Sequence, residues 1–428
     1  MKEPFLEHKS PSDFSAPSSS GRLAKEPREK MKILFVTYHG LGFGGAEVST
    51  KYLAEGLKKR GHEIIFVSAG DYEGFKDYKL KDYRKIPFFF VHNFYMRRKI
   101  KQMILDEKPD LIHVHDRLTS VPAIQISKKM KIPAIVHFRD YWFACPNSSC
   151  MAKDGFEYDK CSMGIILKHF PAKRWLWDLY KLRYLRKARK VLDKADLKFA
   201  NSNSVKRRLE ICGIKDSKVV NILRDLSKFS DDVEKNVIKK RFGLNKNVIA
   251  YVGGFTRVKG IMFVLPIVNK IIKYKKDWSF FIAGHGDLEN EMREFVRNNN
   301  ADNIVIAGKL DIKDMPYVYR DSDIILLPSL WDEPLSGILL EGGASGKLII
   351  ASDKGGNKEV IADGKNGLIA HSGDENDWKE KIIIALRNQW IRKGYGENLR
   401  KDILKDYSLD KVSEIVEKEY KSILKAHQ

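Results

Sequence analysis

Glu333 and Glu341 stand eight positions apart in the segment Leu-Leu-Pro-Ser-Leu-Trp-Asp-Glu-Pro-Leu-Ser-Gly-Ile-Leu-Leu-Glu-Gly-Gly-Ala. Residues 323–329 read as a short, apolar, buried strand. Glu333 then falls in the loop at its carboxyl end, and a helix from about Leu335 carries Glu341. Eight residues is a little over two helical turns, so both carboxylates can flank one crevice at the mouth of a parallel sheet. The unpaired amides opening that helix favour an anion such as a diphosphate. Carboxylates for sugar hydroxyls beside amides for phosphate suit a nucleotide-sugar.

Such a site needs a framework, and the pattern supplies one twice over. Strands are expected at 32–38, 63–68, 87–92, 110–115, 133–138 and 196–201, with helices at 46–60, 94–107, 118–130, 203–211 and a basic helix at 173–192. A second series of strands follows at 248–253, 279–284, 303–307, 323–328 and 348–351, and a last amphipathic helix at 408–425. Strand–helix alternation means parallel sheets covered on both faces. The expected organisation is a disordered extension at 1–30, a first domain at 31–224, a polar linker at 225–246 and a second domain at 247–407. The last helix is free to pack on either domain.

A chain of 428 residues fits two such domains, and its 43% apolar content is that of a globular protein. No stretch approaches the roughly 20 apolar residues that span a bilayer, and no charged-then-apolar leader opens the sequence. Four cysteines argue for a reducing, cytoplasmic setting rather than a disulfide scaffold. The net charge of +22 would attract phosphorylated ligands, anionic lipid or nucleic acid, but no nucleic-acid module is present and no such partner is expected.

Between the first strand and helix lies Gly40-Leu-Gly42-Phe-Gly44-Gly45-Ala-Glu47. Gly40, Gly42 and Gly45 match a dinucleotide fingerprint, with Asp71 where a ribose-binding acid would sit. A nicotinamide-dependent oxidoreductase is therefore the rival reading from another class. A glycine loop opening a helix holds any phosphate, so the match alone decides little.

Taken together, the motifs resemble glycosyltransferase family 4, of the GT-B fold with two Rossmann-like domains facing across a cleft. The resemblance rests on Lys32-Ile-Leu-Phe-Val-Thr-Tyr-His followed by Gly44-Gly45-Ala-Glu, on Pro109-Asp-Leu-Ile-His-Val-His115, and on Val252-Gly-Gly-Phe with Lys259-Gly260. It rests further on the two glutamates and on Gly355-Gly356-Asn-Lys-Glu359-Val with Asp363-Gly-Lys-Asn-Gly367. It implies transfer of a sugar from a UDP- or GDP-sugar to a saccharide, glycolipid or glycan acceptor, with retention at the anomeric carbon and no cofactor or metal. A nucleotide-sugar epimerase of the same fold is the neighbouring alternative. The residues it assigns to the donor are Gly44, Gly45, Arg257, Lys259, Gly284, Lys309, Ser336, Gly337, Ile338 and Glu341. Lys259, then Arg257, would neutralise the departing diphosphate; Glu341 would bind the ribose, and Lys309 would lie near the base. Glu333 at the sugar ring, with His115, Arg139 and Asp140 on the acceptor side, completes the catalytic set. Two positions depart from the family pattern. Gly254 stands where an arginine is usual, with Arg257 three residues on as its replacement, and Arg139 precedes Asp140 where a histidine is usual. A guanidinium cannot act as a base.

Other groupings have plainer readings. Asp321-Ser-Asp323 resembles a metal-binding pair but precedes a buried strand, which suits capping. His113 shares a strand face with His115 and reads as a core residue. Cys145, Cys150 and Cys161, with His169 beyond, could form a zinc site only at unusual spacing. The segment 173–190 combines basic residues with Trp and Tyr, as a helix on anionic lipid would. That would make the protein peripheral on the inner face of a membrane.

Overall fold

The computed structural model describes residues 30–40, 45–80 and 89–427. The expected extension, apart from its last residue, and Gly42 and Gly44 lie outside those residues.

Seven parallel strands form the first sheet: β1 (Lys32–Val36), β2 (Glu63–Ser68), β3 (Lys76–Lys79), β4 (Leu111–Val114), β5 (Ala134–Phe138), β6 (Leu197–Ala200) and β7 (Ser217–Val219). Their order is β3-β2-β1-β4-β5-β6-β7. Alternate residues of each strand feed opposite faces. Leu34 and Val36 pack with Met96, Ile100, Ile124 and Leu182 from helices on one side. Ile33 and Phe35 pack on the other with Leu53 and Leu57 of helix Gly45–Lys59 and with Val412, Val416 and Tyr420. Those last three belong to helix Leu409–His427, so the final helix crosses back to cover the first sheet.

The second sheet has six parallel strands: β8 (Asn247–Val252), β9 (Trp278–Ala283), β10 (Ile304–Gly308), β11 (Ile324–Leu327), β12 (Leu348–Ser352) and β13 (Leu368–Ala370). They lie in the order β10-β9-β8-β11-β12-β13. Both orders reverse direction beside the first strand of their series, which opens a crevice at the carboxyl ends of the strands.

Three expectations change. Residues 89–92 are the first turn of helix Phe89–Glu107 rather than a strand, because buried His92, Met96, Ile100, Met103 and Ile104 recur at helical spacing. Strands β3, β7 and β13 were not anticipated; each is a short edge strand with a weak pattern. The stretch expected as a linker is partly built into the second half. There, helix Val237–Phe242 receives capping from the Asp321 carboxylate, which accepts from the amides of Asn236 (2.5 Å), Ile238 (2.8 Å) and Lys239 (3.1 Å). Asp323 likewise accepts from the Val248 amide at 2.8 Å. Both acids of that pair therefore serve the fold.

Candidate active site

The loop after β11 delivers Glu333, and helix Gly337–Ala344 delivers Glu341. Glu333 is buried, and one oxygen, Oε2, accepts from Lys259 Nζ (2.5 Å), Ser329 Oγ (3.1 Å) and Trp331 Nε1 (3.2 Å). Its backbone is held by the Gly355-Gly356 turn. The Gly356 amide donates to the Glu333 carbonyl at 2.7 Å, and Gly355, with φ 57°, packs so close that a β-carbon would come within 2.0 Å of that oxygen. Glu341 accepts from Arg224 Nε at 2.9 Å and from the Tyr319 hydroxyl at 2.8 Å. Each carboxylate is thus paired with one cation and one or more neutral donors.

Both glutamates, with Lys259, Trp331, Arg224 and Tyr319, line a cavity of about 430 Å³ together with Gly45, Arg139, Asp140, Ser336, Gly337 and Ile338. Ser336 stands just before the helix and makes no capping bond of its own. A second cavity of about 780 Å³ shares Gly45, Val48, Val252, Ile312 and Met315 with the first and extends the crevice to Gly254, Gly284, His285 and Lys309. Lys309 is exposed at its rim. Arg257 is exposed and lines neither cavity.

On the opposite wall Arg139 is buried, and its Nη1 donates to the Ala46 carbonyl at 2.6 Å and to Thr50 Oγ1. Burial lowers its pKa to about 10, which leaves it cationic at neutral pH. Burial pushes Asp140 up to about 6, although its Oδ1 accepts from the Trp142 amide at 2.7 Å. Arg139 and Asp140 also line a third cavity of about 200 Å³ with His39, Glu47, His115 and Asp116.

His115 reaches that cavity, but it is largely a core residue: its ring lies 4.1 Å from His113 and 4.6 Å from Phe35, and neither ring nitrogen has a hydrogen-bond partner. With His137 these form the one group of three metal-capable side chains among the described residues, their ligand atoms within 4.8 Å of one another. Burial lowers the basicity of all three; the charge of Arg139 comes next for His113 and His137, and neighbouring His113, then Arg139, for His115. The same guanidinium works against a cation there. Cys145, Cys150 and Cys161 do not converge as a ligand set. Cys145 and Cys150 lie 3.2 Å apart, Sγ to Sγ, in a buried loop, while His169 bonds Asp154 at 2.7 Å.

Sequence reasoning missed Arg224, Tyr319 and Trp331. Only Trp331 carried a signal, through its place two residues before Glu333. The rival fingerprint fares poorly: Asp71 is exposed and pairs with Lys79 at 2.6 Å.

Two facing Rossmann-like domains with this crevice define a GT-B glycosyltransferase. The family models described as "Glycosyltransferase Family 4" and "Glycosyl transferases group 1" match residues 43–223 and 232–402, and the chain belongs to family 4. The uncharacterized glycosyltransferase MJ1178 of Methanocaldococcus jannaschii is 30% identical over 190 residues, covering 42% of this chain and 52% of its own, so that match spans about half the relative. The N-acetyl-alpha-D-glucosaminyl L-malate synthase of Bacillus anthracis is 23% identical over 92% of this chain and 98% of its own. Anabaena Alr3699/HepE, solved with UDP and with UDP-glucose, shares the fold. Its TM-score is 0.71 at 15% identity, over 92% of this chain and all of that one. The oxidoreductase alternative is set aside by this membership.

Proposed function

We propose that this enzyme transfers a sugar, with retention, from a nucleoside-diphosphate sugar to a hydroxyl acceptor, UDP being the favoured nucleotide because HepE binds it. The observation that carries the reading is the pair of glutamates, each already held by a cation, in one cavity with the start of helix Gly337–Ala344. Glu341 would accept from the ribose hydroxyls and Glu333 would act at the sugar ring. Lys259 and the amides of Gly337 and Ile338 would stabilise the charge that develops on the departing diphosphate, so no metal is required for that role. Asp140 would receive the acceptor proton, oriented beside Arg139. The test is a thermal-shift screen of UDP-, GDP- and ADP-sugars and NAD(P) with EDTA present. A ligand at 100 times its Kd adds about 2.7 kcal/mol. Stabilisation by one nucleotide-sugar supports the reading; stabilisation by NAD(P) alone sinks it.

We further propose that the acceptor is met at an anionic membrane surface. No described helix is long and apolar enough to cross a bilayer, but two present a basic and aromatic face. Helix Trp175–Leu192 buries Leu182, Leu185 and Ala188 and leaves Leu176 89% and Trp177 37% exposed, with Arg183, Lys187 and Lys190 outward. Phe89, stacked on Tyr184 at 4.1 Å, joins it to helix Phe89–Glu107, where Phe90 and Phe94 are exposed in line with Arg98 and Lys101. Aromatic side chains beside Lys and Arg suit the headgroup region. Vesicles containing phosphatidylglycerol should retain the protein at low salt, and Leu176→Asp/Phe94→Asp should release it. Equal behaviour on neutral vesicles would overturn this.

A further inference from the structure

Arg224 stands where the chain leaves the first half for the second, and no motif marks it. Its side chain is buried, and each of its three nitrogens donates one hydrogen bond. Nε donates to Glu341 at 2.9 Å, Nη1 to the Leu223 carbonyl at 3.1 Å and Nη2 to the Gly45 carbonyl at 3.4 Å. One planar fork therefore touches the opening of the first helix and the carboxylate of helix Gly337–Ala344. A β-carbon at Gly337 would come within 2.1 Å of Nη2 and 2.7 Å of Cζ. The guanidinium thus lies against the amino end of that helix, where the first amides have no intrahelical partner.

Four cations line this cavity among the described residues: Arg139, Arg224, Lys228 and Lys259. Arg139 is turned into helix Gly45–Lys59. Lys228 sits 5.8 Å over the Tyr52 ring and 3.4 Å from Asp225. Lys259 and Arg224 remain, one on each glutamate.

We infer that Arg224, rather than the exposed Arg257, is the second diphosphate-binding cation, filling the role left open by Gly254. The inference rests on the donor reading above. A diphosphate seated on the amides of Gly337 and Ile338 meets this guanidinium, whose fork matches phosphoryl oxygens in pairs. Arg224 then exchanges Glu341 for phosphate, while the ribose hydroxyls take over the Glu341 carboxylate.

The experiment compares the full chain with Arg224→Ala, Arg224→Gln, Arg224→Lys and Arg257→Ala. Each is titrated in thermal shift with UDP, GDP and ADP and with the matching nucleosides. Arg224→Ala should lose about 10–100-fold in affinity for the preferred diphosphate, the scale of a lost charged hydrogen bond, while its nucleoside binding changes by less than about 2-fold. Arg224→Lys should restore part of the loss, and Arg257→Ala should keep the preference for diphosphate over nucleoside. Arg224→Gln, neutral but of similar reach, carries the same expectation should the alanine variant fail to fold. Equal losses for diphosphate and nucleoside would show that Arg224 merely holds Glu341, and overturn the inference. Loss at Arg257 instead of Arg224 would overturn it too. A wild-type chain stabilised by none of the diphosphates would remove the donor reading itself.

Discussion

The carboxylates of Glu333 and Glu341 differ in what holds them, and their variants should differ accordingly. Lys259→Ala leaves Glu333 buried with only neutral donors and removes a charge from the leaving diphosphate. We expect kcat to fall about 10²–10³-fold, the usual cost of one transition-state donor, with a smaller change in donor KM. Glu341→Ala instead removes a ground-state contact and frees Arg224, so the donor KM should rise with kcat less affected. Steady-state kinetics on both variants separates the two. Asp140 supplies a pH signature. Its native pKa of about 6 lies above the unfolded value of about 4, so the fold binds its proton more tightly. Its contribution to stability is therefore present below about pH 4 and lost as pH rises towards 6. Activity should run the other way, with kcat/KM climbing through about pH 6 as the carboxylate forms, and Asp140→Asn should abolish that limb. A profile flat from pH 5 to 8 would deny Asp140 the role of base.

At the scale of elements, the site is built where loops press on one another. The Gly355-Gly356 turn wraps the backbone of Glu333, and Gly355 combines a left-handed φ with contact on the Glu333 carbonyl. Gly355→Ala should therefore cost about 1–3 kcal/mol in strain and displace Glu333 as well. Melting temperature and donor KM should both shift, whereas Gly364→Ala, also left-handed but with nothing within 4 Å, should shift stability alone. The same logic explains which elements were legible. Strand β2, a continuous apolar run, and helix Asn203–Ile211, which buries Val205, Arg208 and Leu209, fall where their residues say. The apolar run at 89–92 reads as strand or helix alike until the later turns disclose which face is buried.

For the whole molecule, the two halves meet beside the crevice as well as across it. The Glu359 carboxylate accepts from the amides of Asn203 (2.8 Å) and Ser204 (2.9 Å), which open helix Asn203–Ile211. Arg208 pairs with Asp332 at 2.5 Å, and Lys354 with Glu157 at 2.8 Å. These contacts tie the second half to the first around residues 203–208 and at Glu157, and donor-driven closure would act on them. Glu359→Ala should loosen this tie, raising the radius of gyration in small-angle scattering and increasing the donor KM without altering the unliganded melting of either half. Unchanged scattering with and without donor would remove Glu359 from closure.

The sequence by itself determined the two alternating series, the glutamate spacing and the family, because periodicity and loop motifs are local and survive in one dimension. It could not assign Arg224 or Tyr319 to Glu341: Arg224, 117 residues away, meets it only when the halves pack, and Tyr319, 22 residues away, only when two helices of the second half pack together. Nor could it show that Arg257 is exposed and lines neither cavity, which depends on the direction the chain takes after Gly254. The fate of the last helix was equally open. Only the tertiary structure decided it, through the apolar face that β1 and helix Gly45–Lys59 leave to be covered by Val412, Val416 and Tyr420.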